Sequence, residues 1–213
     1  MKTDQLVSLL ASGVAPVPRG AATRRIALAL AISVPLSVAI MLYDLGVRRD
    51  LALAMLWPMF WFKLLFPAAI AAAAFVAVQR LSRPGVPAAR AWIALALPVL
   101  AVWALGLAVW FAAPEAERMP LLWGQTWRSC AFSIAIVSAP VFVASLVALK
   151  GLAPTRPALA GDCAGALAGG AGAAVYALHC PELAAPFLAV WYMAGIALPV
   201  LAGALLGQRL LRW

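Results

Sequence analysis

The sequence predicts an all-α polytopic membrane protein: six transmembrane helices in one bundle, with both termini in the cytoplasm. Three observations predict it. The 213 residues are 66% hydrophobic and 11% charged, with a mean hydropathy of +1.01, a composition solvated by lipid tails and not by water. Apolar blocks of about twenty residues recur along the chain, the length a helix needs to cross about 30 Å of hydrocarbon. None of them alternates with the period-two pattern of a membrane β-barrel, and helices satisfy their own backbone donors where no water can reach.

Residues 1–25 are polar and lack a small-residue cleavage site, so they read as a retained cytoplasmic segment and not a signal peptide. Within them Leu6, Val7, Leu9 and Leu10 form the apolar face of a short helix running from Thr3 to about Gly13. Thr3 suits the N-cap, and Asp4 suits the positive end of the helix dipole. Such a helix is too short to be stable alone in water. It can order in a partner's groove or lie on the membrane surface. Arg19, Arg24 and Arg25 fit either role, through lipid phosphates or an acidic partner.

The spans are expected at Ile26–Leu45, Leu53–Val78, Ala91–Ala112, Cys130–Leu149, Leu159–Leu178 and Phe187–Leu206, forming a transmembrane domain over 26–206. A cytoplasmic tail, 207–213, follows. Five spans contain proline (Pro35, Pro58 with Pro67, Pro98, Pro140 and Pro199), each of which removes a backbone hydrogen bond and kinks its helix. Lys63 falls ten residues into the second span, near the membrane midplane. An ammonium there costs at least about 2.5 kcal/mol and has to face the bundle interior or a wet cavity. No acidic residue lies at matching depth, which favours a structural or snorkelling lysine over a substrate or proton site. In the fifth span Gly161, Gly165 and Gly169 repeat every fourth residue, and Gly203 and Gly207 repeat the spacing at the sixth. That pattern points to close helix packing before it points to a pore, and it leaves the oligomeric state open.

Orientation follows from lysine and arginine. One side carries Lys2, Arg19, Arg24, Arg25, Arg80, Arg83, Arg90, Lys150, Arg156, Arg209 and Arg212; the other carries Arg48, Arg49, Arg118 and Arg128. Eleven against four, over loops this short, places both termini inside the cell. The net charge of +9 is then an inner-leaflet signal, spread over several hinges and not gathered on one nucleic-acid-binding module. Trp92 and Trp213 sit near the expected inner boundary, and Trp110, Trp123 and Trp127 near the outer one, as interface anchors.

Enzyme constellations are missing: there is one histidine, His179, and no phosphate loop, HExxH or GxSxG. The chemistry-bearing residues are cysteines. Cys163 opens the fifth span on the cytoplasmic side and reads as a packing residue. Cys130 and Cys180 emerge together on the opposite, outer side, which is oxidising in a Gram-negative periplasm. Three readings are open for that pair: a static disulfide, a redox- or metal-responsive pair, or two unrelated thiols. A bridge needs Cα atoms within about 7 Å. His179 adjoins Cys180, so Cys130, His179 and Cys180 are candidate ligands for zinc or copper, without a recognised spacing.

The stretches SCAFSIAIVSAP (Ser129–Pro140), YALHCPELAAPFLAVWYMAGI (Tyr176–Ile196) and GQRLLRW (Gly207–Trp213) resemble the NrsF-like family of membrane anti-sigma factors. The opening MKTDQLVSLLASGVAPVPR and the six-span layout fit the same family. The resemblance implies an inner-membrane protein that sequesters an extracytoplasmic-function sigma factor at its cytoplasmic face. It also implies release on an envelope oxidative or metal signal read by the outer-face cysteines, here Cys130 and Cys180. The sigma-binding candidates are then Asp4, Leu6, Val7, Leu9 and Leu10, because the chain lacks the soluble His-x-x-x-Cys-x-x-Cys zinc module. The alternative is a small transporter or channel using Lys63 and the glycine-rich spans. The lack of carboxylates near the middle of any span, and of inverted repeats, speaks against ion-coupled transport.

Overall fold

A computed structural model describes residues 3–12, 18, 20–83 and 85–212. The expectations placed on Lys2, Gly13, Arg19 and Trp213 lie outside the described residues. Among the described residues the chain is helical throughout, without strands, and six helices are long and apolar enough to cross a membrane. They run Ala21–Leu45, Pro58–Leu81, Ala89–Ala112, Glu115–Lys150, Pro157–Tyr176 and Ala185–Leu210. These are spans one to six below. The loops at 46–57 and 177–184, with the turn at 124–126, lie at one end of the bundle, the loop end. The loops at 82–88 and 151–156 lie at the other, where the chain also enters and leaves, the terminal end.

The span limits depart from the sequence expectation for local reasons. Span one begins earlier, at Ala21, so Arg24 and Arg25 are helical, and it closes in a π-helical turn, Met41–Leu45. The expected start of span two at Leu53 is corrected to Pro58. Leu51–Ala54 form a separate short turn of helix, and Pro58 sits in the first turn of the span, where its missing amide costs nothing. Lys63 is therefore the sixth residue of its helix, about 8 Å from the start and well short of the midplane. Span four opens with a short helix, Glu115–Trp123, that turns at Gly124 into Trp127–Lys150. Span six opens with a turn of α-helix and a π-helical segment, Leu188–Tyr192.

Span five is the axis of the bundle. Of its apolar window 67% is buried inside the protein, against 17% for span three, which leaves span three the most lipid-facing. Its glycines make the axis possible. A Cβ on Gly161 would run into the Gly203 carbonyl, and one on Gly165 into the Pro199 carbonyl. Gly169 and Gly207 close the same face, against Ile196 and the Pro157 carbonyl. Other faces of span five meet span two at Pro67 and Ala71, and span four at Ser138. Backbone-to-backbone approach replaces the hydrophobic effect, which gives lipid-embedded helices no reason to associate.

Cys163 is buried in the apolar cluster at the terminal half of span five, among Ala164, Leu167 and Leu149. Gly161→Val should break the contact with span six, at the cost of overpacking, about 1–3 kcal/mol. Thermal unfolding of the purified chain in detergent would register that as a lowered Tm, whereas Val at the open Gly20 position should leave it unchanged.

Candidate functional site

The loop end is held by one segment, 177–184, which folds back between spans one, two and four. Two cations secure its backbone. Lys63 on span two is fully buried, and its Nζ donates to the Cys180 carbonyl at 2.5 Å and the Glu182 carbonyl at 2.7 Å. The same ammonium lies 5.3 Å from the centre of the Tyr192 ring, a cation–π distance. Arg48, just past span one, donates from Nη1 to the Cys180 carbonyl at 3.2 Å, and its backbone amide donates to the Leu178 carbonyl at 3.1 Å. Its guanidinium also forks onto Asp50, at 2.8 and 2.7 Å. That hydrogen bond raises the Arg48 pKa and holds the Asp50 carboxyl down at about 2.

Side chains of the segment secure it a second time. His179 Nδ1 donates to the Gly46 carbonyl at 2.9 Å, and the ring sits 5.5 Å from that of Tyr176. The Glu182 carboxylate accepts from the backbone amides of Gln125 at 2.6 Å and Thr126 at 3.2 Å. Those amides stand at the start of the Trp127–Lys150 helix, which Thr126 does not cap with its own side chain and where a negative charge also meets the positive end of the dipole. Gly124 has φ of +51°, and a Cβ there would strike the same carboxylate, so glycine is required on both counts.

Inside this frame Cys130 and Cys180 meet. Both thiols are free, fully buried and within hydrogen-bonding reach of each other. Cys130 lies one turn into the helix that Glu182 caps. Thr126 Oγ1 lies 4.0 Å from the Cys180 sulfur. The Tyr192 hydroxyl is buried beside that sulfur without a hydrogen-bond partner of good geometry. Cys180 is the thiol disposed to ionise. The Cys130 thiol donating to it, the Lys63 ammonium and the Glu182 amide together hold its pKa below the ordinary value, against the opposing effect of burial. A thiolate beside a second thiol is the arrangement that disulfide chemistry needs.

The family model for NrsF, negative regulator of sigma F, matches residues 10–213. The chain belongs to this family. It is 48% identical to the probable anti-sigma-F factor NrsF of Azospira oryzae and 39% identical to the anti-sigma-F factor NrsF of Caulobacter vibrioides, in each case over the full length of both chains. No solved structure matches it. These relatives are regulators, in keeping with the absence of an enzyme constellation from the sequence.

The remaining sequence-derived candidates fall as follows. Cys130 and Cys180 come together, but His179 does not join them: its ring faces Gly46 and Tyr176. Among the described residues no three His, Cys, Asp or Glu side chains gather as a metal site, so the zinc or copper set Cys130–His179–Cys180 is not assembled. Lys63 is corrected from a partnerless midplane cation to one whose donors are spent on loop carbonyls. Sequence reasoning missed this because it sought a carboxylate partner, and carbonyls leave no trace in residue identity. Arg48, Glu182 and Tyr192 were missed for the same reason, although GVRRD beside the LHCPEL loop offered a charge signal. Asp4, Leu6, Val7, Leu9 and Leu10 lie on a helix, Thr3–Ala11, that buries none of its residues.

Lys63→Met should slow the reaction of Cys180 with a small neutral disulfide at pH 7 by about tenfold, because the ammonium that favours the thiolate is gone. A rate equal to wild type would remove the electrostatic role. The Arg48–Asp50 pair should persist above about pH 4 and fade as pH falls toward 2, since depressed folded-state carboxyl values give stability only above the unfolded value. A carboxyl NMR titration of Asp50, with Arg48→Met as control, checks the window.

Proposed function

We propose that the chain is a membrane anti-sigma factor that holds a sigma-F partner, of the extracytoplasmic-function type, at the cytoplasmic face of a bacterial inner membrane. The names of its Azospira and Caulobacter relatives, anti-sigma-F factors, support the partner. The observation that carries the reading is a separation: an amphipathic helix that buries none of its residues stands at the terminal end and a buried thiol pair at the loop end. Thr3–Ala11 exposes Leu6, Val7, Leu9 and Leu10 to the extent of 43–69%. Such a face needs an occupant, and a groove on the sigma factor supplies one. The excess of Lys and Arg supports a cytoplasmic position for this end.

The loop end, facing the envelope, reads the signal. The Cys180 thiolate attacks a peroxide and takes one oxygen as sulfenic acid, and the expelled hydroxide or alkoxide takes up a proton from water and leaves as water or an alcohol. The Cys130 sulfur then displaces the hydroxyl, which leaves as water with the Cys130 thiol proton, and closes the disulfide. His179 stays out of the pair, which favours oxidation over metal ligation. Closing the bond pulls on a loop whose carbonyls are held by spans one and two and whose carboxylate caps span four. The glycine contacts of span five carry the shift to the terminal end. A difference of about 3 kcal/mol between the two states would change sigma binding roughly 150-fold. The transport reading has no comparable support, since Lys63 is fully enclosed and the glycine faces are filled by span six.

A chain with Cys130→Ser and Cys180→Ser should repress target transcription normally yet fail to respond to peroxide. Induction equal to wild type would remove the sensing role. Leu6→Asp with Leu10→Asp should weaken recovery of the sigma factor by at least about tenfold, as expected when anchors of a docked helix are lost. Undiminished recovery would assign capture to another surface.

A further inference from the structure

Among the described residues four buried side-chain oxygens lack a hydrogen-bond partner of good geometry: the Oγ atoms of Ser33, Ser37 and Ser145, and the Tyr192 hydroxyl. The serines lie on spans one and four, where a short hydroxyl can turn onto a carbonyl of its own helix one turn back. Tyrosine has no such recourse, because a rigid ring carries its hydroxyl away from the backbone. A buried donor left without an acceptor is costly and asks for a functional reason.

The ring is held on three sides. It lies 5.3 Å from Lys63 Nζ, 5.9 Å from the Tyr176 ring and 6.1 Å from the Phe66 ring. Tyr192 is fully buried at the end of the π-helical segment Leu188–Tyr192. Its hydroxyl therefore stands fixed beside the Cys180 sulfur. Thr126 Oγ1 is 4.0 Å from the same sulfur, but it already donates to Glu182 Oε1 at 3.5 Å. Of the two hydroxyls beside Cys180, the one without a good acceptor is that of Tyr192.

We propose that the Tyr192 hydroxyl binds the oxygen that a small hydroperoxide delivers to Cys180, a role that rests on the peroxide reading of the thiol pair. In that step the Cys180 sulfur forms the S–O bond with its own electron pair. The O–O bond breaks, and the distal oxygen leaves with the bonding pair as hydroxide, which takes a proton from water. Tyr192 keeps its proton throughout and donates a hydrogen bond to the oxygen that stays on sulfur, during transfer and in the sulfenic acid. Negative charge spreads from sulfur onto oxygen as the bond forms, and a fixed donor aimed there in a site poor in water lowers the barrier. Lys63 favours the thiolate whatever the electrophile. Tyr192 acts only when the electrophile brings an oxygen.

That difference gives the test. The purified full chain in detergent is treated at pH 7 with hydrogen peroxide or with dimethyl disulfide, and mass spectrometry follows Cys180. Tyr192→Phe should slow the peroxide reaction by at least about tenfold, as expected when one donor to developing charge is removed. It should leave the dimethyl disulfide rate within about twofold of wild type, whereas Lys63→Met should slow both. The Tm of Tyr192→Phe should not fall, since the ring and its contacts remain and the hydroxyl lost had no good partner. A peroxide rate equal to wild type would overturn the role of Tyr192 and leave peroxide sensing standing. Equal slowing with both reagents, or a lowered Tm, would make the hydroxyl a support of the thiolate or of the fold and overturn it too. A wild-type Cys180 that reacts with dimethyl disulfide but not with peroxide would remove the peroxide reading itself.

Discussion

The Lys63 ammonium, donating to two carbonyls of one loop, is the contact on which the loop end depends. A cation this deeply enclosed is tolerated only where its donors are met, and the Cys180 and Glu182 carbonyls meet two of the three. The loop in turn has carbonyls that would be orphaned in an apolar setting, so each side resolves the other's problem. Arg48 adds a second donor to the Cys180 carbonyl, tying span one into the same point. With the backbone fixed this way, Cys180 is presented to Cys130 and Glu182 reaches the start of the Trp127 helix. The thiol pair is thus a consequence of how a lysine is satisfied.

The other half of the structure rests on missing atoms. Span five touches spans two, four and six closely because glycine occupies the contact positions, and several carbonyls sit where a Cβ would otherwise be. Packing of this kind has little slack, since a rotation of span five forces carbonyls toward its neighbours. A rigid axis of this sort suits the transmission of a displacement from one end to the other better than a loosely packed bundle would. The two π-helical turns lie at the loop ends of spans one and six. Such turns insert a residue into the helical ladder and often mark places where geometry serves a function, here the placing of Tyr192 against Lys63.

Membership in the NrsF family is consistent with a division of labour between the ends. The loop end gathers redox-capable side chains in a dry, hydrogen-bonded frame. The terminal end presents an amphipathic helix that buries none of its residues, and the loops there are rich in arginine. Among the described residues nothing resembles a permeation path, because Lys63 is spent on backbone groups and the small-residue faces are occupied. Burial of both thiols also restricts the proposed signal to small species able to pass the loops.

The six spans, the helical class, the amphipathic helix Thr3–Ala11 and the shared end of Cys130 and Cys180 were legible in the sequence. Each follows from local or one-dimensional quantities: run length, periodicity and parity of crossings. The limits of span two were not, because the break before Pro58 is decided by how Leu51–Ala54 and the following turn pack. Likewise the sequence offered Lys63 as a charge without a partner and His179 as a neighbour of Cys180 in number. Only the tertiary structure decided that the lysine bonds loop carbonyls and that the histidine turns away to Gly46. The physical reason is the same in each case. Backbone acceptors are identical at every position, so which of them a side chain meets is set by the fold of the 177–184 segment and not by residue type.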